Sequence, residues 1–295
     1  MIISLTTDFG LGDGYVGAMK GVISGIAPGV PLVDITHIIN PQDLSGAAYV
    51  LWTAVPYFTE DSVHLVVVDP GVGTARRAIA SRTPWGVVVG PDNGIFTYLW
   101  AAARPDLTVA LENARYCRTT ISSTFHGRDV FAPAAAYVAA GLPLEELGPV
   151  VSDPVTLPLP QMEIGSRSIQ GEVIYIDHFG NAITNIGRLI WEGPVLHLDP
   201  AFGTTEARMI NASRVTVRLP GRIVLPNRGG PTNRASHSDI GRIHRTYGET
   251  TQGELLALVG SEGMLEIAVN QGDAARTLGL RVGTPVELVE PGEGD

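Results

Sequence analysis

Three loops carry residue types that suit chemistry, and two of them begin where an apolar, strand-like run gives way to polar residues. Thr6-Thr7-Asp8-Phe9-Gly10-Leu11-Gly12-Asp13-Gly14 follows the run Ile2–Leu5, and Asp69-Pro70-Gly71-Val72-Gly73-Thr74-Ala75-Arg76-Arg77 follows Val63–Val68. The third, Ser123-Thr124-Phe125-His126-Gly127-Arg128-Asp129, precedes a helical stretch. In an open parallel sheet the ligand crevice lies beyond the carboxyl ends of the strands, so residues just after strand runs are the first candidates for a site. Two glycines between Asp69 and Arg76 let that loop fold back and pair the carboxylate with the guanidinium, although such pairs are often structural and Asp-Pro-Gly is also a plain turn. His126 stands ahead of a helix, whose N-terminal dipole keeps an imidazole neutral, while a lone histidine also commonly serves structure. Asp8 and Asp13 suit hydrogen-bond donors such as ribose hydroxyls, or a cationic group, and equally suit turn and N-cap positions.

Gly12-x-Gly14-x-x-Gly17 fits the dinucleotide fingerprint, with Asp34 seventeen residues beyond Gly17 near the end of a second strand, which reads as an NAD-dependent oxidoreductase. Asp8 and Asp13 oppose that reading, because a pyrophosphate at a helix N-terminus needs bare N–H groups. Gly71-Val72-Gly73-Thr74 lacks the Lys-Ser/Thr ending of a P-loop, and no Gly-x-Ser-x-Gly elbow is present. Cys117 is the single cysteine, which excludes an intrachain disulfide and a cysteine zinc framework. His37, His64, His178, His197, His237 and His244 lack metal-site spacing, so no metal is predicted. In the second half, Tyr175-Ile176-Asp177-His178-Phe179-Gly180-Asn181 ends a strand with an acid, an aromatic and an amide. A Phe can stack on a base and an Asn can read an adenine edge, the plain alternative being a strand end and its turn. Ser261 in Gly260-Ser261-Glu262-Gly263 and Asn270 in Ala268-Val269-Asn270-Gln271-Gly272 are further polar loop positions.

The elements that must hold these loops follow from periodicity. Ile2–Leu5, Leu32–Ile39 and Val63–Val68 read as strands, the last too uniformly apolar to face solvent, and Arg77–Ser81 with Gly86–Val89 reads as a hairpin. Helical spacing runs over Val16–Ile26, Leu44–Val55, Gly94–Ala103 and Val130–Ala140, the last despite Pro133. This alternation predicts an α/β N-terminal domain with a mostly parallel central sheet over residues 1–148. Four prolines within 149–160 make 149–167 a proline-rich linker. Short runs at Glu172–Ile176, Pro194–His197, Val215–Leu219, Arg222–Leu225, Glu254–Val259, Met264–Ala268 and Thr284–Val289 predict a smaller all-β, barrel-like C-terminal domain over 168–295. The polar stretch Pro226–Thr251 reads as a long loop.

Composition narrows the partners. The chain has 295 residues, about two domains at roughly 150 each, and its 20 basic against 30 acidic side chains give a net charge of −10. No polyanion-binding face is implied, so no nucleic acid is expected. With 44% hydrophobic and 17% charged residues the chain is globular and not disordered. No stretch approaches the roughly 18 uninterrupted apolar residues of a membrane span, and the N-terminus lacks a signal-peptide pattern, so a cytoplasmic protein without a membrane partner is expected.

Thr-Thr-Asp-Phe-Gly at 6–10, Val-Asp-Pro-Gly-Val-Gly-Thr at 68–74 with Arg76-Arg77, Pro-Asp-Asn-Gly at 91–94, Ser-Thr-Phe-His-Gly-Arg-Asp at 123–129, Asp-His-Phe-Gly-Asn at 177–181 and Gly-Ser-Glu-Gly at 260–263 closely resemble the S-adenosyl-L-methionine hydroxide adenosyltransferases. These are hydrolase relatives of the fluorinating and chlorinating enzymes, and the motifs run in register from residue 2 to about 290. The resemblance implies hydrolysis of S-adenosyl-L-methionine to adenosine and L-methionine by water attacking C5′, with no cofactor. It also implies a homotrimer whose sites lie between the first domain of one subunit and the second domain of its neighbour. It places Asp69, Arg76 and His126 around the attacking water and Asp8 on the ribose hydroxyls. Phe179, Asn181 and the backbone around Asn270-Gln271 match adenine contacts, with Tyr247 stacking there. Asp177, Ser261 and Asp13 match positions near the methionine amino and carboxylate groups, and Trp52 and Thr74 to Ala75 line the reacting centre. The halogenases have Tyr-Ser or Tyr-Gly where this chain has His126-Gly127, and the fluorinating members carry an extra loop that is absent between 93 and 122, so 5′-halo-adenosine formation is the lesser alternative. The sulfonium leaves as a neutral thioether, so only the nucleophile needs help, and the three residues are expected to orient and deprotonate it, with the immediate proton acceptor left open.

Overall fold

The apolar runs of the first half become β1 (Ile3–Thr7), β2 (Leu32–Thr36), β3 (Val63–Val67), β4 (Ala78–Thr83), β5 (Gly86–Pro91) and β6 (Leu107–Ala110) in a computed structural model. It describes residues 1–202, 207–219 and 238–290. The chain divides into two compact units, Met1–Pro158 and Leu159–Asp295.

The first unit is a six-stranded sheet in the order β2-β1-β3-β5-β4-β6, parallel from β2 to β5 and antiparallel where β4 joins β5 and β6. Every residue of β1 and β3 is buried, which is why these strands read as continuous apolar runs. The helices are α1 (Tyr15–Ile26), α2 (Leu44–Ala54), α3 (Thr97–Ala102) and α4 (Ala132–Ala139). Alternate residues serve the two faces: Ile3, Leu5, Leu65 and Val67 pack with Met19 and Ile23 of α1 and Ala135 of α4, whereas Val66 and Val68 pack with Leu51 of α2 and Leu99 of α3. Because β1 and β3 are parallel neighbours, with Thr7 opposite Val67, the loops after them leave the same edge of the sheet.

Local departures from the sequence reading have local causes. The second strand stops at Thr36, whose Oγ1 accepts the Ile38 N–H at 3.2 Å and turns the chain. The helix expected over Val130–Ala140 begins earlier, as a π-helical turn at Gly127–Phe131, and Pro133 falls in the first turn of α4, where its missing N–H costs no bond. Residues 150–157 pack on the first unit: the Val151 N–H donates to Thr108 O at 2.8 Å, Asp153 pairs with Arg77 at 2.7 Å, and the Leu157 N–H donates to Thr97 Oγ1 at 2.8 Å.

The second unit contains β7 (Glu163–Ile164), β8 (Ser168–Ile176), β9 (Ala182–Thr184), β10 (Leu189–Glu192), β11 (Val195–Leu198), β12 (Arg208–Asn211), β13 (Thr216–Leu219), β14 (Ser238–Gly241), β15 (Ile243–His244), β16 (Leu255–Val259), β17 (Leu265–Val269) and β18 (Pro285–Val289), with one short helix, α5 (Ala274–Leu278). The order β14-β13-β18-β8-β9-β17-β16-β15 forms a nearly closed, barrel-like sheet, with β7 added on β8 and a separate three-stranded sheet β10-β11-β12. Its core gathers Val173, Leu196, Ile210, Val217, Leu265, Ile267 and Leu288. The expectation of a loop over 226–251 is corrected at its C-terminal end, which holds β14, β15 and a 3-10 turn at Tyr247–Glu249. Polar residues line these short strands, but Ile240, Ile243 and His244 are buried, so composition concealed a half-buried pattern. The rest of that stretch, and the strand expected at Arg222–Leu225, lie outside the described residues. Among the described residues no helix is long and apolar enough to cross a membrane.

Leu65, fully buried on β3, reports the load on the sheet that positions the loops. Leu65→Ala should lower unfolding free energy by about 2–5 kcal/mol, read as a shifted urea midpoint with an unchanged m-value. A loss below about 1 kcal/mol would contradict that central packing.

Candidate active site

The loop after β3 folds back on itself. The Val72 N–H donates to Asp69 O and the Thr74 N–H to Gly71 O, both at 3.2 Å, while Thr74 Oγ1 donates to Gly71 O at 2.7 Å. These turns return Arg76 to Asp69: Nε donates to Oδ1 at 2.9 Å and Nη2 to Oδ2 in a close ion pair, giving the two-pronged geometry that guanidinium and carboxylate favour. Arg76 Nη2 also donates to His126 Nδ1 at 3.0 Å, across fifty residues of sequence. Asp69 and Arg76 side chains are only 4% and 11% exposed, so the pair is largely removed from water. The loops meet at Gly73, whose φ is +76° and where a side-chain carbon would stand 2.3 Å from Ser123 O.

The loop bearing His126 is anchored by Asp129, which is fully buried. Asp129 accepts the Ser122 N–H at 2.9 Å and pairs with Arg128 at 2.7 Å and Arg118 at 3.1 Å. Burial alone would push its carboxyl upward, but the hydrogen bonds from Arg128 and Ser122 outweigh it and hold the group below the ordinary carboxylate range. Arg128 in turn lies over the Phe125 ring, 5.0 Å from its centroid. Asp129 was within the sequence motif, yet its anchoring role carried no local signal.

The bond to Arg76 sets the state of His126. A guanidinium has donors and no acceptor, so Nδ1 must present its lone pair, and the neutral imidazole carries its hydrogen on Nε2. Burial, then the Arg76 charge, pushes the imidazole pKa below its ordinary value, against the smaller opposing pull of Asp69 and Asp129. Both Asp69 oxygens are engaged by Arg76. The set therefore offers N–H donors to an electron-rich oxygen, and the imidazole is poorly arranged to take a proton itself. Arg76 and His126 also line an open cavity of about 300 Å³ whose other walls include Ala78, Glu112, Ile121 and Val130.

Asp8 and Asp13 stand outside this hydrogen-bonded set, on the loop after β1. Asp8 Oδ2 accepts the Gln42 N–H at 2.9 Å, and Asp13 is exposed. Phe9, Tyr15 and Phe125 pack their rings with centroids 5.3–5.9 Å apart, which fastens that loop to the one bearing His126. Trp52 lies on α2 with its ring beside Tyr49. Asp34, the acid of the dinucleotide fingerprint, is bound to Lys20 Nζ at 2.7 Å and to His37 Nε2 at 3.0 Å, so the carboxylate that would hold a cofactor ribose is engaged elsewhere.

In the second unit Asp177 Oδ1 accepts the N–H groups of Phe179 at 2.9 Å and Asn181 at 2.8 Å, a tight turn after β8. Asn181 Nδ2 donates to Asp177 Oδ2 at 2.9 Å and to Tyr247 Oη at 3.4 Å. Asn270 Nδ2 donates to Thr250 O at 2.8 Å, and Thr250 Oγ1 to Tyr247 O at 3.2 Å, so Asp177, Asn181, Tyr247 and Asn270 form one connected group. Phe179 projects from it 72% exposed. Ser261 Oγ donates to its neighbour Glu262 at 3.3 Å and is not bonded to the group directly. Sequence reasoning missed Glu266, which accepts the Tyr247 hydroxyl hydrogen in a close contact; its signal was a lone acid inside the apolar run Met264-Leu265-Glu266-Ile267-Ala268. Among the described residues no group of three His, Cys, Asp or Glu side chains is placed to hold a metal ion.

An α/β unit presenting an Asp-Arg-His set, followed by a β-barrel-like unit with an acid-amide-tyrosine group, is the build of a two-domain enzyme class. Residues 3–148 match the SAM hydroxide adenosyltransferase N-terminal domain and residues 171–287 the C-terminal domain, and the chain belongs to that family. It is 42% identical to the (R)-S-adenosyl-L-methionine hydrolase of Thermus thermophilus over 96% of this chain and 97% of that protein. Identity to a fluorinase of Actinoplanes is 26%, covering 98% and 97%. A crystal structure of an uncharacterized conserved protein from Thermotoga maritima superposes with a TM-score of 0.81 at 32% identity, over 98% of this chain and 100% of the other.

Two outcomes test the geometry. In a nitrogen-15 NMR titration His126 should charge with a midpoint below about 6.5, as the Nε2–H tautomer, and Arg76→Met should raise that midpoint by removing the opposing charge. A wild-type midpoint above 6.5 would contradict the assignment. Gly73→Ala should displace the 123–129 loop and lower kcat at least tenfold with the fold intact, whereas unchanged kcat would show that the close approach is not needed.

Proposed function

We propose that this chain hydrolyses S-adenosyl-L-methionine to adenosine and L-methionine by in-line displacement at C5′. The observation that carries the reading is the Asp69–Arg76–His126 set: three polar side chains from two loops far apart in sequence, half-buried, joined by hydrogen bonds and presenting donors. Such donors stabilise an oxygen nucleophile that has already lost its proton, so the attacking species is hydroxide, and of the acceptors the sequence left open the reading is one in which the imidazole holds the anion and does not deprotonate water. The new bond joins hydroxide oxygen to C5′, the C5′–S bond breaks, and its electron pair leaves on sulfur as a neutral thioether. No acid and no cofactor are needed, and the proton lost from water goes to solvent. Hydroxide and sulfonium neutralise each other in the transition state, so exclusion of water at the half-buried set favours reaction over the separated ions.

The remaining roles follow the chemistry of each group. Asp8 accepts from the ribose hydroxyls. Asp13 and Asp177 face the methionine ammonium and Ser261 its carboxylate. Phe179 and Tyr247 stack on the adenine, Asn181 and the backbone at Asn270 read its edge, and Trp52 and Thr74 line the reacting centre. The two groups of residues belong to different units, which fits a homotrimer with each site built from the first unit of one subunit and the second unit of its neighbour. The enzyme works in the cytoplasm, on a small molecule and water, without a metal, nucleic acid or membrane partner.

Donor groups that hold hydroxide can also hold a halide, so the test includes one. Purified protein incubated with S-adenosyl-L-methionine in chloride- or fluoride-containing buffer should give adenosine and methionine by chromatography. 5′-Halo-adenosine in place of adenosine would overturn the hydrolase reading. His126→Ala and Asp69→Ala should each lower kcat by about 10²–10³-fold while KM stays within a few-fold, and near-normal kcat in both would remove the proposed roles.

A further inference from the structure

Glu266 is a carboxylic acid in the middle of β17, a strand whose five residues are all buried. It lies opposite Leu258 and Ile183 in the sheet and is 7% exposed. A charged side chain in such a place is costly, and a leucine there would pack with Leu258 at no such cost, so packing does not account for an acid. What the acid does is accept a hydrogen. Oε1 takes the Tyr247 hydroxyl hydrogen, while Oε2 stands against Gly260, where a side-chain carbon would come within 2.9 Å of it. The loop that carries Ser261 is thus shaped around the same carboxyl group.

The hydrogen bonds in this group run in one direction. Asp177 Oδ2 takes one Asn181 Nδ2 hydrogen, the first of the two bonds that set the amide's orientation. Tyr247 has a single hydrogen, and with that given to Glu266 its oxygen accepts the second Asn181 Nδ2 hydrogen. Burial first, then the hydrogen bond to Glu266, pushes the Tyr247 hydroxyl far above its ordinary range, so it keeps that hydrogen. Both amide hydrogens of Asn181 are then engaged inside the protein. Its Oδ1 accepts no hydrogen bond among the described residues and is the group left for a ligand.

We infer that Glu266 is a positioning residue that, through Tyr247, locks Asn181 with its carbonyl oxygen toward the base, and so selects a 6-amino purine over a 6-oxo purine. This rests on the hydrolase reading above. The exocyclic amine of adenine donates to Asn181 Oδ1, whereas the carbonyl of a 6-oxo purine would face it acceptor to acceptor, and a site built to pair a polar group rejects the analogue that cannot pair. Loss of the lock frees the Tyr247 hydroxyl and relaxes the choice.

The test compares kcat and KM for S-adenosyl-L-methionine and its deaminated counterpart, S-inosyl-L-methionine, in the full-length wild type and in Glu266→Leu, Glu266→Gln and Tyr247→Phe. Wild type should favour the adenosyl substrate in kcat/KM by at least about tenfold. Glu266→Leu and Tyr247→Phe should raise KM for the adenosyl substrate about tenfold, change kcat by less than about threefold, and shrink the preference at least fivefold. Glu266→Gln retains an acceptor for the Tyr247 hydrogen and should restore most of the preference. An unchanged preference in folded Glu266→Leu and Tyr247→Phe overturns the inference; if Glu266→Leu does not fold, Tyr247→Phe, at a ring already 39% exposed, decides alone. Wild type that cleaves both substrates equally also overturns it while leaving the hydrolase reading intact. Wild type that cleaves neither overturns the hydrolase reading, and the inference with it.

Discussion

One guanidinium organises the first unit's chemistry. Arg76 Nη2 has two hydrogens, and it gives one to Asp69 and the other to His126. That division fixes three things together: the Asp69 carboxylate is neutralised, the imidazole lone pair on Nδ1 is occupied, and the imidazole hydrogen is left on Nε2. A lysine at this position would supply one point charge and could not hold both partners in a planar fork. The Arg76 guanidinium carbon also lies 5.0 Å from the centroid of the Phe131 ring, whose π face attracts the cation.

The sheet brings that guanidinium and that imidazole together. Parallel pairing of β1 and β3 sends their loops out of one edge, the π-helical turn at Gly127–Phe131 starts beside them, and Gly73 allows a backbone approach to Ser123 that any side chain would block. The second unit uses another logic. There the polar groups form a directed chain from Asn181 through Tyr247 to Glu266, in which each hydrogen has one acceptor and Asn181 Oδ1 accepts none among the described residues. The first unit presents N–H donors, and the second presents an amide oxygen that accepts no hydrogen bond among the described residues.

How much of this could be seen in the sequence depended on range. β1 and β3 were legible because strands buried on both faces are apolar throughout, and the pairing of Asp69 with Arg76 was legible because seven residues with two glycines leave few ways to close. The fingerprint at Gly12, Gly14 and Gly17 shows the limit of pattern alone: the glycines do open a helix, but Asp34 is committed to Lys20 and His37. Contacts of long range left no local mark. Nothing near His126 announces Arg76, and Glu266 reads as an interruption of an apolar strand until Tyr247 is seen beside it. β14 and β15 were read as loop because short strands at a sheet's ends can be polar along most of their length while burying only Ile240, Ile243 and His244.

The family membership, the donor-bearing set and the departure of a neutral thioether converge on solvent oxygen as the atom that ends on the nucleoside. Single-turnover reaction in water enriched in oxygen-18, with both products weighed by mass spectrometry, tests that claim at the atom concerned. The account predicts one labelled oxygen in adenosine, at the 5′-hydroxyl, and none in methionine. Adenosine without the label would contradict it.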